Sequence, residues 1–340
     1  MPPNRRLNTG KVPQDVLKRC ILNRLGVSDD RVIRGAALGE DASIIDMGGK
    51  VLVAKANPIT GADDNIGRLA VHVNANDVAA RGAKPLWFMN TILLPDGTTE
   101  ARLEEIMEEI HCACTELGVQ LIGGHTECVV GLEKPIIAGF MMGEAPKNRY
   151  VTTSGARPGD RVILTKSVGL EGTSILASEL EERLKRRIDP KTLQRARRMI
   201  DAISVVPEAL KAVEAGGVHS MHTPTEGGIL NGLYEMTAAA KVGISVEENL
   251  IPIAPETAII AESLGADPLK LLSSGALLIA VEYASVDKVI RALEGIGVKT
   301  SIIGEIKERS EGRILTRIDG TQKTIDPIRQ DELFRILGGV

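Results

Sequence analysis

The sequence predicts an α+β protein of two domains. Three observations predict it. At 340 residues the chain is too long for one typical core and comfortable for two. Strand and helix patterns mix in each half without the regular alternation of a doubly wound sheet. The pattern breaks at Ala145-Pro146-Lys147-Asn148-Arg149, and a new strand-turn-strand opens through Gly155-Ala156-Arg157-Pro158-Gly159-Asp160. We therefore expect an N-terminal domain over residues 1–148 and a C-terminal domain over 149–340.

Residues 12–25 have the spacing of a short amphipathic helix, and Pro13 suits its first turn. Strands are expected at 43–46 and 51–54, joined by Met47-Gly48-Gly49-Lys50. A helix follows over 65–80, with Asp63 and Asp64 available as caps. Residues 86–94 form a strand-like run. Leu103, Ile106, Met107, Ile110, Cys114 and Leu117 recur at helical spacing and predict a helix over 99–117. Strands are expected at 119–122 and 135–142. In the second half we expect strands near 161–165 and 276–282, and helices near 171–185, 204–214, 226–240 and 285–293. There is no low-complexity segment and no short-period repeat.

Composition narrows the function classes. Apolar residues make up 43% and charged residues 25%, as in soluble folded proteins. Three Phe, three Tyr and one Trp are too few for base-stacking platforms, so the cores must come from Ile, Leu, Val, Ala and Met. A net charge of −4 supplies no field for a polyanion. The basic run from Arg183 to Arg198 reads as a solvated helical pair diluted by Glu179, Glu181 and Glu182. Cys20, Cys112, Cys114 and Cys128 form no C-x-x-C pair, which argues against zinc and against a disulfide framework. The first residues lack an apolar leader core, and Ala276 to Val281 is far short of a membrane span. The expectation is a cytoplasmic protein that engages neither membrane nor nucleic acid.

Several residues break local rules. In the helix over 65–80 the apolar stripe runs through Ile66, Leu69, Ala70, Val73 and Ala80, which puts Asn76 and Asp77 on or beside the buried face. A carboxylate taken out of water needs hydrogen bonds or a cation. Asp77 is therefore either a buried cap for a neighbouring loop or part of a metal or nucleotide site. In Leu38-Gly39-Glu40-Asp41-Ala42 a carboxylate follows a glycine before a strand, a turn that can present Asp41 to Mg²⁺ but that also fits any surface. Gly123-Gly124-His125-Thr126-Glu127 follows a short apolar strand. Its glycines allow close backbone approach to a ligand, although a plain strand-ending loop fits equally. Thr223-Pro224-Thr225-Glu226-Gly227-Gly228 leads into a helix, and free N–H groups of Gly227 and Gly228 could cradle phosphate. Thr165 to Thr173 lacks Walker A spacing. No G-x-G-x-x-G follows a first strand, and no G-x-S-x-G elbow is present.

Taken in order, these segments resemble the aminoimidazole-ribonucleotide synthetase (PurM) superfamily, which includes thiamine-monophosphate kinase, selenophosphate synthetase and HypE. The matching stretches are Gly39-Glu40-Asp41-Ala42, Asn74 through Pro85, Gly123 through Glu127, Gly159-Asp160 with Leu164-Thr165-Lys166, Gly169-Leu170-Glu171-Gly172, Pro224 through Gly228, and Leu264 through Gly275. They span nearly the whole chain, and the HypE-like branch is closest. The resemblance implies a homodimer joined through the N-terminal domains, with ATP in a groove near that interface and Mg²⁺ bridging phosphates to carboxylates. By position, Asp41, Asn76 and Asp77 would meet metal and phosphates. Gly123, Gly124, Thr126 and Glu127 would lie near the nucleotide with Asn57, Thr223, Gly227 and Gly228. Asp77, His125 and Lys11 would act in catalysis, Lys11 through the segment Asn8-Thr9-Gly10-Lys11 that reaches phosphate in relatives. Such enzymes phosphorylate an oxygen of their substrate, and catalysis rests on positioning and charge neutralisation.

Three departures qualify that transfer. Asn57 and Thr223 stand where relatives usually carry Asp, which removes negative charge expected to face Mg²⁺. The chain ends Ile336-Leu337-Gly338-Gly339-Val340 and its last cysteine is Cys128, whereas HypE carries its carbamoyl group on a terminal cysteine. Gly-Gly-His in place of Gly-Gly-Asp argues against a thiamine-phosphate kinase. Two readings stay open: an ATP-dependent enzyme acting on a small or protein-borne substrate, and a nucleotide-binding dimer with little turnover.

Overall fold

Burial alternates along residues 50–59 and 136–146, as a sheet covered on one face requires, and the two segments pair antiparallel along their length. They form the middle of the first of two sheets. A computed structural model gives the fold and describes Leu7 and residues 11–338. Asn8, Thr9 and Gly10, like the closing Gly339 and Val340, lie outside the described residues.

The N-terminal half runs α1 (Gln14–Cys20), β1 (Val32–Arg34), β2 (Ser43–Asp46), β3 (Lys50–Ile59), α2 (Ile66–Ala79), β4 (Lys84–Pro95), α3 (Glu100–Leu117), β5 (Gln120–Val129) and β6 (Ile136–Pro146). Its six strands lie in the order β1-β2-β3-β6-β4-β5, all antiparallel except β4 with β5. The second half continues with β7 (Arg161–Thr165), α4 (Leu170–Glu179), α5 (Glu181–Leu184), α6 (Pro190–Arg197), α7 (Val206–Ala215), β8 (Val218–His222), α8 (Gly228–Ala240) and β9 (Gly243–Glu247). It ends with α9 (Pro255–Leu264), β10 (Leu278–Val281), α10 (Val286–Glu294), β11 (Thr300–Lys307), β12 (Arg313–Thr316), β13 (Gln322–Thr324) and α11 (Glu332–Leu337). The second sheet has the order β13-β12-β9-β11-β7-β10-β8. Strands and helices are mixed in both halves, so the α+β class is as expected.

The decisive element is α2. From Leu69 to Ala79 every residue is buried, polar ones included, because the helix is covered by the first sheet, by α3 and by α7. Burial favours a partner for each polar side chain. His72 keeps both ring nitrogens without a hydrogen bond, 3.7 Å from Glu116, whereas Asn74, Asn76 and Asp77 are partnered. Asn74 donates to the carbonyls of Asn57 and Ala70 and accepts the Asn57 N–H at 2.7 Å, which ties α2 to β3. A Cβ on Gly139 of β6 would lie 2.5 Å from that Asn74 amide nitrogen, so glycine leaves the space. Asn76 crosses into the other half: its amide donates to the Ile203 carbonyl at 2.8 Å and accepts the Val205 N–H at 2.7 Å.

Some expectations needed correcting. Neither Asp63 nor Asp64 caps α2. Asn65 occupies the cap position in a left-handed conformation, and the Gly67 N–H is met by Glu109 of α3. Residues 123–127 are not a strand-ending loop, because β5 continues through them in register with β4. The helix expected over 171–185 divides at Leu180 into α4 and α5. The basic run forms a helical pair whose charges meet acids: Arg197 with Glu181, Arg195 with Glu256 at 2.6 Å, Lys185 with Glu182. Among the described residues no helix is long and apolar enough to cross a membrane.

Asn76→Ala strips partners from two buried backbone groups at the domain junction. It should lower unfolding free energy by about 2–4 kcal/mol in urea denaturation; a change under about 0.5 kcal/mol, typical of a neutral surface site, would contradict this role.

Candidate functional site

Lys55 and Asn57 lie two residues apart on β3 and so share a face. That face meets Asp77 of α2. Asp77 Oδ2 accepts from Asn57 Nδ2 at 2.8 Å and lies 3.0 Å from the Lys55 ammonium. Its Oδ1 accepts from the Thr223 hydroxyl, just beyond β8, at 2.5 Å. The buried carboxylate is thus matched by one cation and two neutral donors, and both oxygens are engaged.

A second chain of charges runs beside it. Asp41 Oδ2 pairs with His222 Nδ1 at 2.7 Å, and His222 Nε2 lies 3.0 Å from Glu235 Oε2. Arg81, wholly buried just past α2, reaches Asp41 at 3.5 Å and Glu40 at 3.4 Å. It also donates to the Thr153 hydroxyl at 2.6 Å and to the Met221 carbonyl. Glu40 is completed by the Thr153 and Ser154 N–H groups and the Ser154 hydroxyl. Burial opposes the charge on Asp41, but His222, Arg81 and Lys55 outweigh it and hold the carboxyl below its usual range. Burial likewise opposes charge on His222, yet Asp41 and Glu235 raise its pKa to about 9, so it is a cation at neutral pH.

Lys11 closes the cluster from the N-terminal side. Its N–H donates to Glu226 at 3.0 Å, and its ammonium reaches the Thr225 hydroxyl at 3.3 Å and Glu235 at 3.4 Å. Desolvation is outweighed by Glu235, Glu226, Asp41 and Asp77, which raise its pKa. The side chain is 48% exposed, so the cluster is open to solvent at this end. The junction therefore gathers Lys11, Asp41, Asn57, Asp77 and Thr223, all of them expected, with Lys55, Arg81, His222 and Glu235, which the sequence did not single out.

Other expected residues have different roles. Asn76 spends its amide on Ile203 and Val205, so it is a domain tie rather than a metal ligand. Gly227 and Gly228 offer no open phosphate cradle. The Gly227 N–H donates to Asp331 at 2.6 Å and that of Gly228 to the Thr225 carbonyl at 3.0 Å. A Cβ on Gly228 would lie 2.6 Å from the Leu269 carbonyl, which explains the glycine by packing. Gly123, Gly124, His125, Thr126 and Glu127 lie on the exposed edge strand β5, where His125 pairs with Glu127 at 3.4 Å rather than with the junction cluster. A broad groove of about 1110 Å³ lies elsewhere, between α2 and α3 around Arg68 and Glu108.

The donor set does not fit the Mg²⁺ implied by the resemblance. A magnesium site takes carboxylate oxygens in near-octahedral array. Here Asp77 is occupied by Lys55, Asn57 and Thr223, Asp41 is paired with His222 and Arg81, and Asn76 is spent elsewhere. Among the described residues no group of three or more His, Cys, Asp or Glu could hold a metal ion.

A further acidic group lies behind the site. Glu171 is buried, its Oε2 has no hydrogen-bond partner, and burial with the nearby Asp331 and Glu226 charges raises its pKa to about 7. The folded state thus holds a proton on Glu171 that the unfolded chain releases near 4.5. Because the folded state binds more protons in that window, stability should fall as pH rises from about 4.5 to about 7 and level off above. Glu171→Gln should flatten this slope and exceed the wild type at pH 8 by on the order of 2–3 kcal/mol in urea denaturation. Parallel profiles for the two proteins would contradict it.

Comparison with known proteins agrees with this architecture. The family profile described as AIR synthase related protein, N-terminal domain, matches residues 39–145, and that of the C-terminal domain matches 157–316. The chain is 29% identical over 332 residues to a putative hydrogenase expression/formation protein of Methanocaldococcus jannaschii, covering 94% of this chain and 95% of that protein. It is 31% identical over 279 residues to carbamoyl dehydratase HypE of Rhizobium leguminosarum bv. viciae, covering 79% and 77%. The crystal structure of E. coli HypE, a hydrogenase maturation protein, matches with a TM-score of 0.72 at 26% identity over 84% of this chain and 88% of that one. A chain of the HypE–HypF complex shares the fold with a TM-score of 0.76 at 23% identity, covering 92% and 99%. The chain belongs to the AIR synthase related (PurM) superfamily and is HypE-like.

Proposed function

We propose that this chain binds ATP at the domain junction and uses it to phosphorylate or dehydrate an oxygen-bearing substrate. The observation that carries the reading is the meeting of Lys11 and Lys55 with Asp41 and Asp77 at a junction open to solvent. An ammonium has three donors. Lys55 engages Asp77 and retains donors for a phosphate oxygen, while Lys11, on the exposed side, can turn from Glu235 to a phosphate. Asp77 holds Lys55 in place, and Glu226 with Glu235 holds Lys11, so charge that develops on a transferring phosphoryl group meets preorganised partners. Relatives named carbamoyl dehydratase HypE, a HypE structure in complex with ATP and thiamine-monophosphate kinase structures, the last two sharing the fold, support ATP-dependent chemistry of this general kind.

The functional unit in this proposal is a homodimer. Both faces of β5 are exposed at the sheet edge, and Met89 and Phe140, paired across β4 and β6, are exposed beside it. Such an apolar patch next to an unpaired edge suits a second copy of the chain. A partner there would also cover Gly123 to Glu127, the stretch whose family counterpart lies near nucleotide.

One observation favours the low-turnover reading. Asn57 and Thr223 both donate into Asp77, leaving that carboxylate no free oxygen with which to accept a substrate proton. ADP release separates the two readings.

In calorimetry the wild type should bind ATP, and Lys11→Ala should weaken it about tenfold, the worth of one charge-assisted contact. Absence of ATP binding would refute the proposal. Sedimentation should show a wild-type dimer and a monomeric Met89→Lys/Phe140→Lys variant; a wild-type monomer would overturn the quaternary part.

A further inference from the structure

Asp77 is the most deeply placed acid of the cluster, 2% exposed, and its position on α2 is fixed by the neighbouring ties of Asn74 and Asn76. A lone carboxylate there would demand a counter-charge. The chain supplies that charge itself. Lys55, with a side chain 19% exposed, sets its ammonium 3.0 Å from Asp77 Oδ2 and lies close enough to Asp41 to stabilise that charge too. Asn57 and Thr223 add one neutral donor to each oxygen of Asp77, at 2.8 and 2.5 Å. Arg81 holds Asp41 and Glu40 from below. Each feature disfavours a dication in the same way. Amide N–H and hydroxyl O–H groups aimed at a carboxylate present protons where a metal would need lone pairs. A second fixed cation within contact distance would then repel it.

We propose that Lys55 is the resident cation of this site: it excludes a divalent ion from Asp41 and Asp77 and takes over charge neutralisation toward phosphate. This rests on the ATP-binding reading for its ligand, but the exclusion of metal is measurable without nucleotide. Lys55, Asn57 and Thr223 belong together. With Lys55 on Asp77, an Asp at 57 or 223 would leave a buried carboxylate in surplus, whereas Asn57 and Thr223 balance the pair and donate to it.

Manganese serves as a spectroscopic probe for a divalent ion. Titrating the nucleotide-free wild type with Mn²⁺ and following free ion by electron paramagnetic resonance should show no stoichiometric binding up to about 1 mM, weaker than dedicated sites. Lys55→Thr/Asn57→Asp/Thr223→Asp should gain one site at least about tenfold tighter. Lys55→Arg, which keeps the charge, should stay free of Mn²⁺ and serves as the folded control. In parallel, ATP affinity of the wild type should agree within about threefold between EDTA and Mg²⁺ buffers. Stoichiometric Mn²⁺ binding by the wild type that Asp77→Asn abolishes would overturn the proposal, as would ATP binding that requires Mg²⁺. ATP binding in neither buffer would sink the nucleotide reading and the phosphate role of Lys55 with it, while the Mn²⁺ titration still decides metal exclusion.

Discussion

Burial of α2 on all sides is the constraint on which the rest depends. A helix enclosed by the first sheet, by α3 and by α7 penalises idle polar side chains. His72 stays without a hydrogen bond on either ring nitrogen, but Asn74, Asn76 and Asp77, with Arg81 just past the helix end, are all partnered. Each is directed to a different partner: Asn74 to β3, Asn76 to the segment before α7, Asp77 to Lys55 and Thr223, Arg81 to Thr153 and the Met221 carbonyl. Three of them, Asn76, Asp77 and Arg81, fasten the two halves together, while Asn74 fastens α2 to β3 within the first half. The candidate site forms where they converge.

Charge compensation follows from that convergence. Asp77 faces Lys55, and beside that pair Glu40, Asp41 and Glu235 alternate with Arg81, His222 and Lys11 in a chain of ion pairs. Such a network costs desolvation, which only near-complete pairing offsets. Lys11 is its exposed member and the natural point of exchange with a ligand. Asp331, by contrast, accepts the Gly227 N–H at the start of α8, so the chain's own carboxylate occupies a donor that a phosphate there would use.

Much of this was legible in the sequence, for physical reasons. Asn76 and Asp77 stood out because two polar residues interrupted an apolar stripe of helical period. The stripe could not say that one would tie domains and the other hold a lysine. The α+β class followed from mixed periodicities, but β8, Val218-His219-Ser220-Met221-His222, carries too few apolar residues to read as a strand although its last three residues are buried. Lys55 was missed because a lysine on a strand reads as a surface residue; its two-residue offset from Asn57 was the available signal. His222 adjoined Thr223 and went unremarked for want of a visible partner, since Asp41 and Glu235 are distant in sequence and meet it only through the sheet. Gly123 to Glu127 read as a loop because two glycines interrupt the apolar pattern, whereas parallel pairing with β4 keeps it extended.

The central claim is that the domain junction, with its own lysines as counter-charge, is the seat of nucleotide phosphate. A crystal structure of the protein with a non-hydrolysable ATP analogue tests it most directly. The account predicts phosphate oxygens within hydrogen-bonding distance of the Lys55 and Lys11 ammonium groups, with Asp77 still bound to Asn57 and Thr223. An analogue seated away from this junction, or a metal ion coordinated by Asp77 after Lys55 has swung aside, would contradict it.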